Sequence, residues 1–335
     1  MNDDRALVLV TGGTGYLAGH TLARLLADGH RVRTTVRDLD RAAEVRALAG
    51  PGDLEVVAAD LGADVGWAAA TEGVDYVLHL ASPFPPAAPE NDDEVIRPAR
   101  DGAVRVLAAA REAGVRRVVL TSSFAAVGYS AVPREEYTEA DWTDLADPNS
   151  AYVRSKVIAE RAAWEQVRAA GGPELAVINP AGIFGPVLGE RLSSSVSLVR
   201  AMLDGAMPVV PPLYFGVADV RDVADLHVRA MTHPRAAGER FLAAAGESIS
   251  FLGLARILAE SGHAVTTTEM TAEQVRAAAE TDPALREAAA RLGRVPVIRT
   301  TKARTVLGWR PRPVEETVAD TARSLLAAAE REPAP

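Results

Sequence analysis

The apolar run Ala6-Leu7-Val8-Leu9-Val10 breaks straight into Thr11-Gly12-Gly13-Thr14-Gly15-Tyr16-Leu17-Ala18, and an amphipathic stretch carrying Leu22, Leu25 and Leu26 follows. Consecutive apolar residues of this kind suit a strand buried on both faces, as in a parallel sheet. The glycines let the backbone reverse where a Cβ would not fit. The helical stretch stops at Asp28-Gly29, a common end signal. Further strand-like runs occur at Arg31 to Val36, Leu54 to Ala58, Val74 to Leu80, Val118 to Thr121 and Leu175 to Ile178, separated by helical stretches. This alternation predicts an α/β chain built on a doubly wound parallel sheet.

Past Asn179 the rhythm changes. Pro208, Pro211 and Pro212 interrupt it, one more strand is expected from Phe241 to Ala245, and helices are expected over Glu269 to Leu292 and Val314 to Glu330. The expected division is a nucleotide-binding domain of residues 1–179 plus about 218–246, and a smaller helix-rich lobe of 180–217 and 247–335.

Composition removes several function classes. A net charge of -9 over 335 residues argues against nucleic acid, whose phosphates need a basic surface. The absence of cysteine removes disulfides, thiolate metal sites and a thiol nucleophile. The six histidines show no metal-binding spacing, so no metal is expected; His79, in an apolar strand, reads as a satisfied core residue. Met1 to Arg5 lacks a basic leader, and no apolar stretch is long enough to span a bilayer; the expectation is a cytoplasmic protein without a membrane partner.

The turn after the first strand satisfies G-x-G-x-x-A from Gly13. Between a strand and a helix this pattern points to dinucleotide binding, with the pyrophosphate on the helix N-terminus. The residues implied are Gly12, Gly13, Thr14, Gly15, Tyr16 and Leu17; the bland alternative is a tight turn alone. The end of the second strand then selects the cofactor. An acid there would take the ribose 2′-OH and a base the 2′-phosphate. The chain has Val36-Arg37-Asp38, with Arg41 about a helical turn further on. Arg37, aided by Arg41, is expected to favour NADPH over NADH, although Asp38 could pair with Arg37 or accept the 2′-OH itself. Asp60-Leu61 follows the third strand, where a carboxylate could meet the adenine amino group or cap a helix. Leu80-Ala81-Ser82 ends the fourth, at the ligand edge of such sheets.

The fifth strand ends in Thr121-Ser122-Ser123, and Tyr152 and Lys156 follow on the next helical stretch, four residues apart and so on one face. A phenol with its usual pKa near ~10 is a poor proton shuttle at neutral pH. A neighbouring ammonium and a nicotinamide charge are expected to lower it. Tyr152 would then exchange a proton with a carbonyl oxygen, Ser123 would orient that oxygen, and Lys156 would also hold the nicotinamide ribose. The alternative is an amphipathic helix with one Tyr at the core edge and an exposed Lys.

Taken together, the rows VTGGTGYLAGH, TVRD, AADL, VLHLASPF, VRRVVLTSS, YVRSK, NPAGIFGP, VADVRDVADLHVRAM and LGWRPRP cover roughly residues 8 to 313. The chain resembles an extended short-chain dehydrogenase/reductase of the NAD-dependent epimerase/dehydratase superfamily. Within it, the chain is similar to the dihydroflavonol-reductase-like group of cinnamoyl-CoA, methylglyoxal-type and aldehyde reductases. The resemblance implies a Rossmann domain with a C-terminal substrate lobe, a Ser123-Tyr152-Lys156 triad and NADPH. It also implies that Asn179-Pro180 through Ile183 border the nicotinamide and Asp60-Leu61 the adenine. Two positions depart from the pattern. Ala18 replaces the third glycine, and Gly128 stands where plant dihydroflavonol reductases carry Asn, which argues against a flavonoid substrate.

The substrate pocket is expected from Ser82-Pro83-Phe84, Phe124, Tyr129, Ile183 and the loop Pro208 to Phe215 with Tyr214 and Phe215, an apolar and aromatic set suited to a hydrophobic aldehyde or ketone. Some of these residues could instead pack the lobe interface. The competing readings are a sugar-nucleotide epimerase or dehydratase, a steroid-type dehydrogenase/isomerase, and a non-catalytic NADPH-binding regulator. The expected assembly is a monomer or homodimer. Asp219, Arg221 and Asp222 are expected to form a structural ion-pair group.

Overall fold

A computed structural model describes residues 5–82, 91–266, 268–281, 285–286 and 289–330. The core is a parallel sheet of seven strands. In chain order they are β1 (Leu7–Val10), β2 (Arg31–Val36), β3 (Leu54–Ala58), β4 (Tyr76–His79), β5 (Arg117–Thr121), β6 (Glu174–Pro180) and, after two strands placed elsewhere, β9 (Arg240–Ala243). Their spatial order is β3-β2-β1-β4-β5-β6-β9. The order reverses between β1 and β4, which pair directly. Such a switch point opens a crevice at the carboxyl ends of the strands.

Both faces of the sheet are covered. Helix α1 (Tyr16–Ala27) packs against α2 (Ala42–Ala49) and α7 (Val220–Thr232) on one face. There Leu22, Leu25, Val223, Leu226 and Trp309 form a core with Val8, Val10 and Ile178. The opposite face carries α3 (Trp67–Thr71), α4 (Asp93–Glu112) and α5 (Ala151–Ala170), with Trp67, Val106, Leu107 and Ala163 on Leu9, Val77, Val118 and Val177. Alternate residues of β1 and β5 thus serve opposite cores, which is why these strands read as unbroken apolar runs.

A second sheet of three strands is made by β7 (Gly182–Phe184), β8 (Tyr214–Asp219) and β10 (Ala245–Ser250), in the order β10-β8-β7. Strands β7 and β8 run parallel, and β8 and β10 antiparallel. Around it lie α6 (Ser194–Leu203), α8 (Phe251–Glu260), α9 (Ala272–Ala279) and, after a further helix α10 (Thr301–Leu307), α11 (Val314–Ala329). Most of this lobe shares a separate core of Val196, Val199, Met202, Leu254, Leu258, Val318 and Leu325. Helix α10 instead lies on β9 and α7, and Trp309 after it donates to the Asp222 carbonyl at 2.8 Å.

Two expectations change. Tyr214 and Phe215 belong to a strand rather than a loop. The helix expected over Glu269 to Leu292 is broken up: Thr271 and Gln274 form a capping box, α9 ends at Ala279, and Leu285, Arg286 and Ala289 are helical again. Among the described residues no helix is long and apolar enough to cross a membrane.

Candidate active site

The turn after β1 is held by its backbone. Gly12 N–H donates to Thr35 Oγ1 at 3.0 Å, Gly13 N–H to Thr35 O at 2.9 Å and Gly15 N–H to Gly12 O at 2.8 Å. Gly12 has φ +74°, and a Cβ on Gly13 would lie 2.5 Å from Thr34 Oγ1, so a side chain is excluded twice over. Ala18 is buried in the α1 core, so the missing third glycine is accommodated. Gly15 is the N-cap of helix α1, which has no side-chain cap and no acid in its first turn. Its leading N–H groups are therefore free for an anion, and its dipole favours one. Thr14 and Gly15 line a cleft with Glu44, Leu48 and the segment Leu188 to Arg191. Leu17 is buried in the core, so only its backbone can serve a ligand.

Tyr16 also lines this cleft. Its hydroxyl donates to Gly185 O at 2.7 Å, and His20 Nε2 pairs with Pro186 O at 2.9 Å. Gly185 N–H in turn donates to Thr321 Oγ1 on α11 at 2.7 Å. Nearby, Arg221 bonds Asp219 and Asp320, and Arg312 bonds Asp219 and Asp222. These ions tie α7 to α11, the structural role expected of them.

Asp38 follows the end of β2. Asp38 Oδ1 accepts from Asp40 N–H at 2.9 Å and caps the 3-10 turn Leu39–Arg41. Arg37 is exposed, and among the described residues it carries no ion pair or hydrogen bond. Arg41 Nε donates to Glu44 Oε2 at 2.7 Å. Asp60 Oδ1 accepts from Gly62 N–H at 2.8 Å, closing a local turn rather than capping a helix, while Leu61 packs against Gly102 of α4. At the end of β4, Ala81 N–H donates to Thr11 Oγ1 at 3.0 Å, and that oxygen also meets His79 Nδ1 at 2.8 Å. His79 is thus a satisfied core histidine; burial pushes its pKa down to about 3. Leu80, just before Ala81, packs against the α1-side core.

The proposed triad converges beside this turn. Ser123 caps the 3-10 turn Phe124–Ala126, its Oγ accepting from Ala125 N–H at 3.1 Å. Tyr152 is hydrogen-bonded to Ser123. Lys156, 8% exposed, donates from Nζ to Ser82 Oγ at 2.9 Å and sits 5.7 Å from the Tyr152 ring centroid. Burial holds the ammonium's pKa down to about 8, with Glu160 pulling it up. The expected lowering of the Tyr152 pKa by Lys156 is not found in the chain alone. Burial raises it, and the Ser123 hydrogen bond acts against that rise. The physical reason is placement: Lys156 lies against the ring and donates its hydrogen bond to Ser82. Pro180 and Ile183 follow at the end of β6 and on β7. Asn179 is fully buried, and its Nδ2 donates to Ser123 O at 3.2 Å while its Oδ1 has no partner among the described residues.

The expected pocket residues do not form one wall. Phe124 and Tyr129 belong to a cluster with Tyr137 and Leu242. Phe215 is wedged between Phe184 and Phe251 in the lobe core, with ring centroids 5.8 Å and 5.2 Å away. Tyr214 is exposed, and Phe84 lies outside the described residues. Sequence reasoning missed Glu160 and Arg240, which bind each other at 2.6 Å behind the triad. The signal was present: Glu160 repeats the spacing of Tyr152 and Lys156 on the same helix.

Known proteins share this fold and family. The profile of the NAD dependent epimerase/dehydratase family matches residues 8–244. Cinnamoyl-CoA reductase CAD2 of Medicago truncatula is 34% identical over 249 residues, covering 70% of this chain and 75% of its own. Anthocyanidin reductase of Vitis vinifera is 31% identical over 260 residues, covering 72% and 77%. The crystal structure of yeast methylglyoxal/isovaleraldehyde reductase Gre2, complexed with NADPH, superposes with a TM-score of 0.81 at 26% identity, covering 97% of this chain and 100% of that one. The chain belongs to the NAD dependent epimerase/dehydratase family and, within it, is an extended short-chain dehydrogenase/reductase, an oxidoreductase.

Proposed function

We propose that the chain reduces a hydrophobic aldehyde or ketone to the alcohol, reversibly, using NADPH. The observation that carries this reading is the unbroken set Ser123, Tyr152, Lys156 and Ser82 beside an uncapped helix N-terminus.

The residues fit the cofactor. Gly12 and Gly13 make a cradle that a Cβ would fill, the first amides of α1 suit a pyrophosphate, and Arg37 is a free guanidinium for a 2′-phosphate. Arg41, now paired with Glu44, would help only by leaving it. Asn179 Oδ1 is a buried acceptor suited to a ligand's donor, and Pro180 and Ile183 lie beside it. Asp60, Leu61, Leu80 and Ala81 would border the same cleft. The relatives named as reductases and the NADPH bound in the yeast structure support this choice. When bound, the cofactor supplies the hydride.

Ser123 holds the carbonyl oxygen toward Tyr152. Tyr152, its phenol kept protonated by burial, donates the proton that the new alkoxide needs. Lys156, charged below about pH 8, steadies the phenolate that remains. The lobe of residues 180–217 and 247–335 supplies the far wall for an apolar substrate.

The test is Tyr152→Phe, assayed with NADPH and a panel of aldehydes and ketones. NADPH binding should persist, while turnover falls by about 10²–10⁴-fold, the usual contribution of an acid–base group. A folded variant with near-normal turnover would sink the mechanism.

A further inference from the structure

Behind the triad, Glu160 lies one helical turn past Lys156 on α5 and is 1% exposed. Its carboxylate gathers donors from three strand ends. Ser122 Oγ after β5 reaches it at 2.6 Å, Asn179 Nδ2 on β6 at 2.8 Å and Arg240 Nε on β9 at 2.6 Å. Trp164 Nε1 adds a contact at 3.3 Å. A buried carboxylate is tolerated only when paired and hydrogen-bonded in this way. Arg240 is equally saturated: it donates to Glu139 O and Asp141 O and stacks 3.9 Å from the Trp142 ring centroid.

Lys156 is in the opposite position. Its hydrogen-bond acceptor is the neutral Ser82 hydroxyl, so no carboxylate among the described residues touches the buried ammonium. Among the described residues, the ionisable groups around it are Tyr152 and Glu160 on its own helix, His79 on β4 and Arg240 on β9 behind Glu160. His79 stays neutral at working pH because burial holds its pKa near 3. Tyr152 stays protonated. Glu160 is therefore the one negative charge among the described residues acting on Lys156, with Cβ atoms about 5–6 Å apart as for any i, i+4 pair.

We infer that Glu160 is a positioning residue for the proposed reaction: it keeps the Lys156 ammonium charged without touching it and, through Asn179, fixes the Ser123 backbone against α5. This rests on Lys156 being the working cation. The sign follows from the burial of that ammonium. Removing the Glu160 charge lowers the pKa of Lys156 further, so activity is lost at a lower pH as alkali is added.

The chain has two lysines, Lys156 and Lys302, so a lysine-selective ¹³C label gives two ε-methylene signals, and Lys302→Arg assigns them. In the wild type, Lys156 should titrate near pH 8. In Glu160→Gln the midpoint should fall by about one pH unit, the low end of what an adjacent charge does. Glu160→Asp keeps the charge; it should leave the midpoint in place and lower turnover through the displaced Ser123. If Arg240, left unpaired, unfolds Glu160→Gln, the double variant Glu160→Gln/Arg240→Gln removes both buried charges together, which costs far less than removing one. A smaller fall is expected there. An unmoved midpoint in whichever of the two folds overturns the inference. A midpoint that moves while the alkaline limb of turnover stays fixed supports Glu160 as the counter-charge and refutes Lys156 as the working cation.

Discussion

Arg37→Ala isolates the cofactor reading from stability. The guanidinium is exposed and, among the described residues, bonds to nothing, while Asp38 beside it is occupied in capping the next turn. Removing Arg37 thus breaks no bond within the described chain, and the melting temperature should hold within the usual scatter of about 0.5 kcal/mol for surface substitutions. What the variant gives up under the proposed function is the bond to the 2′-phosphate. A charge-assisted hydrogen bond contributes about 1.5–3 kcal/mol, or roughly 10- to 150-fold in affinity. NADPH binding should weaken by that factor while NADH binding stays nearly constant. Because the site is exposed, raising salt should also weaken NADPH in the wild type more than NADH. Calorimetric titration of both cofactors into both proteins reads all of this. Equal weakening of the two cofactors would refute the assignment, and so would a wild type that binds NADH more tightly.

Two further outcomes follow from packing and burial. A Cβ on Gly128 would lie 2.3 Å from Phe124 Cζ, so Gly128→Ala should cost about 1–3 kcal/mol by overpacking; Phe124→Ala in the same chain should recover part of it, and purely additive melting data would refute the clash. His227, fully buried between Thr121 Oγ1 and Val223 O, has its pKa lowered to about 4, and His79 to about 3. The unfolded chain takes up these protons below about pH 6.5 and the folded chain does not, so stability is intact above that pH and falls between about 6.5 and 4. At about 1.4 kcal/mol per pH unit per proton, the loss approaches about 3 kcal/mol for each histidine. Thermal melts should show it, His227→Gln should reduce the slope, and a flat profile to pH 4.5 would contradict it.

The large sheet is legible in the sequence because its strands are buried on both faces. β2 and β3 run as expected, and β1, β4, β5 and β6 differ only at their ends. The small sheet is not legible. Its strands are short, carry Gly182, Gly216 and Gly246, and make one wall of a mixed lobe, so neither period nor composition marks them. The helix expected from Glu269 runs across Asp282-Pro283 in the sequence, a pair that signals a boundary. In the site, the triad follows from order along the chain and from spacing, since strand ends and one helical face fix where those side chains go. The pocket does not follow, because an aromatic residue in a sequence carries no mark of which core receives it. Phe215 goes to the lobe core, between Phe184 and Phe251.

The bonds that brace the glycine turn are distant in sequence. Tyr16 and His20 reach 169 and 166 residues ahead to Gly185 and Pro186, and Gly185 reaches another 136 to Thr321. In folding terms the turn has high contact order, and non-local closures form slowly. A chain emerging from its N-terminus makes β1 and α1 first, yet their bracing is complete only once α11 has docked. Truncation within that last helix is therefore felt at the opposite end of the chain, in a turn whose own sequence is unchanged.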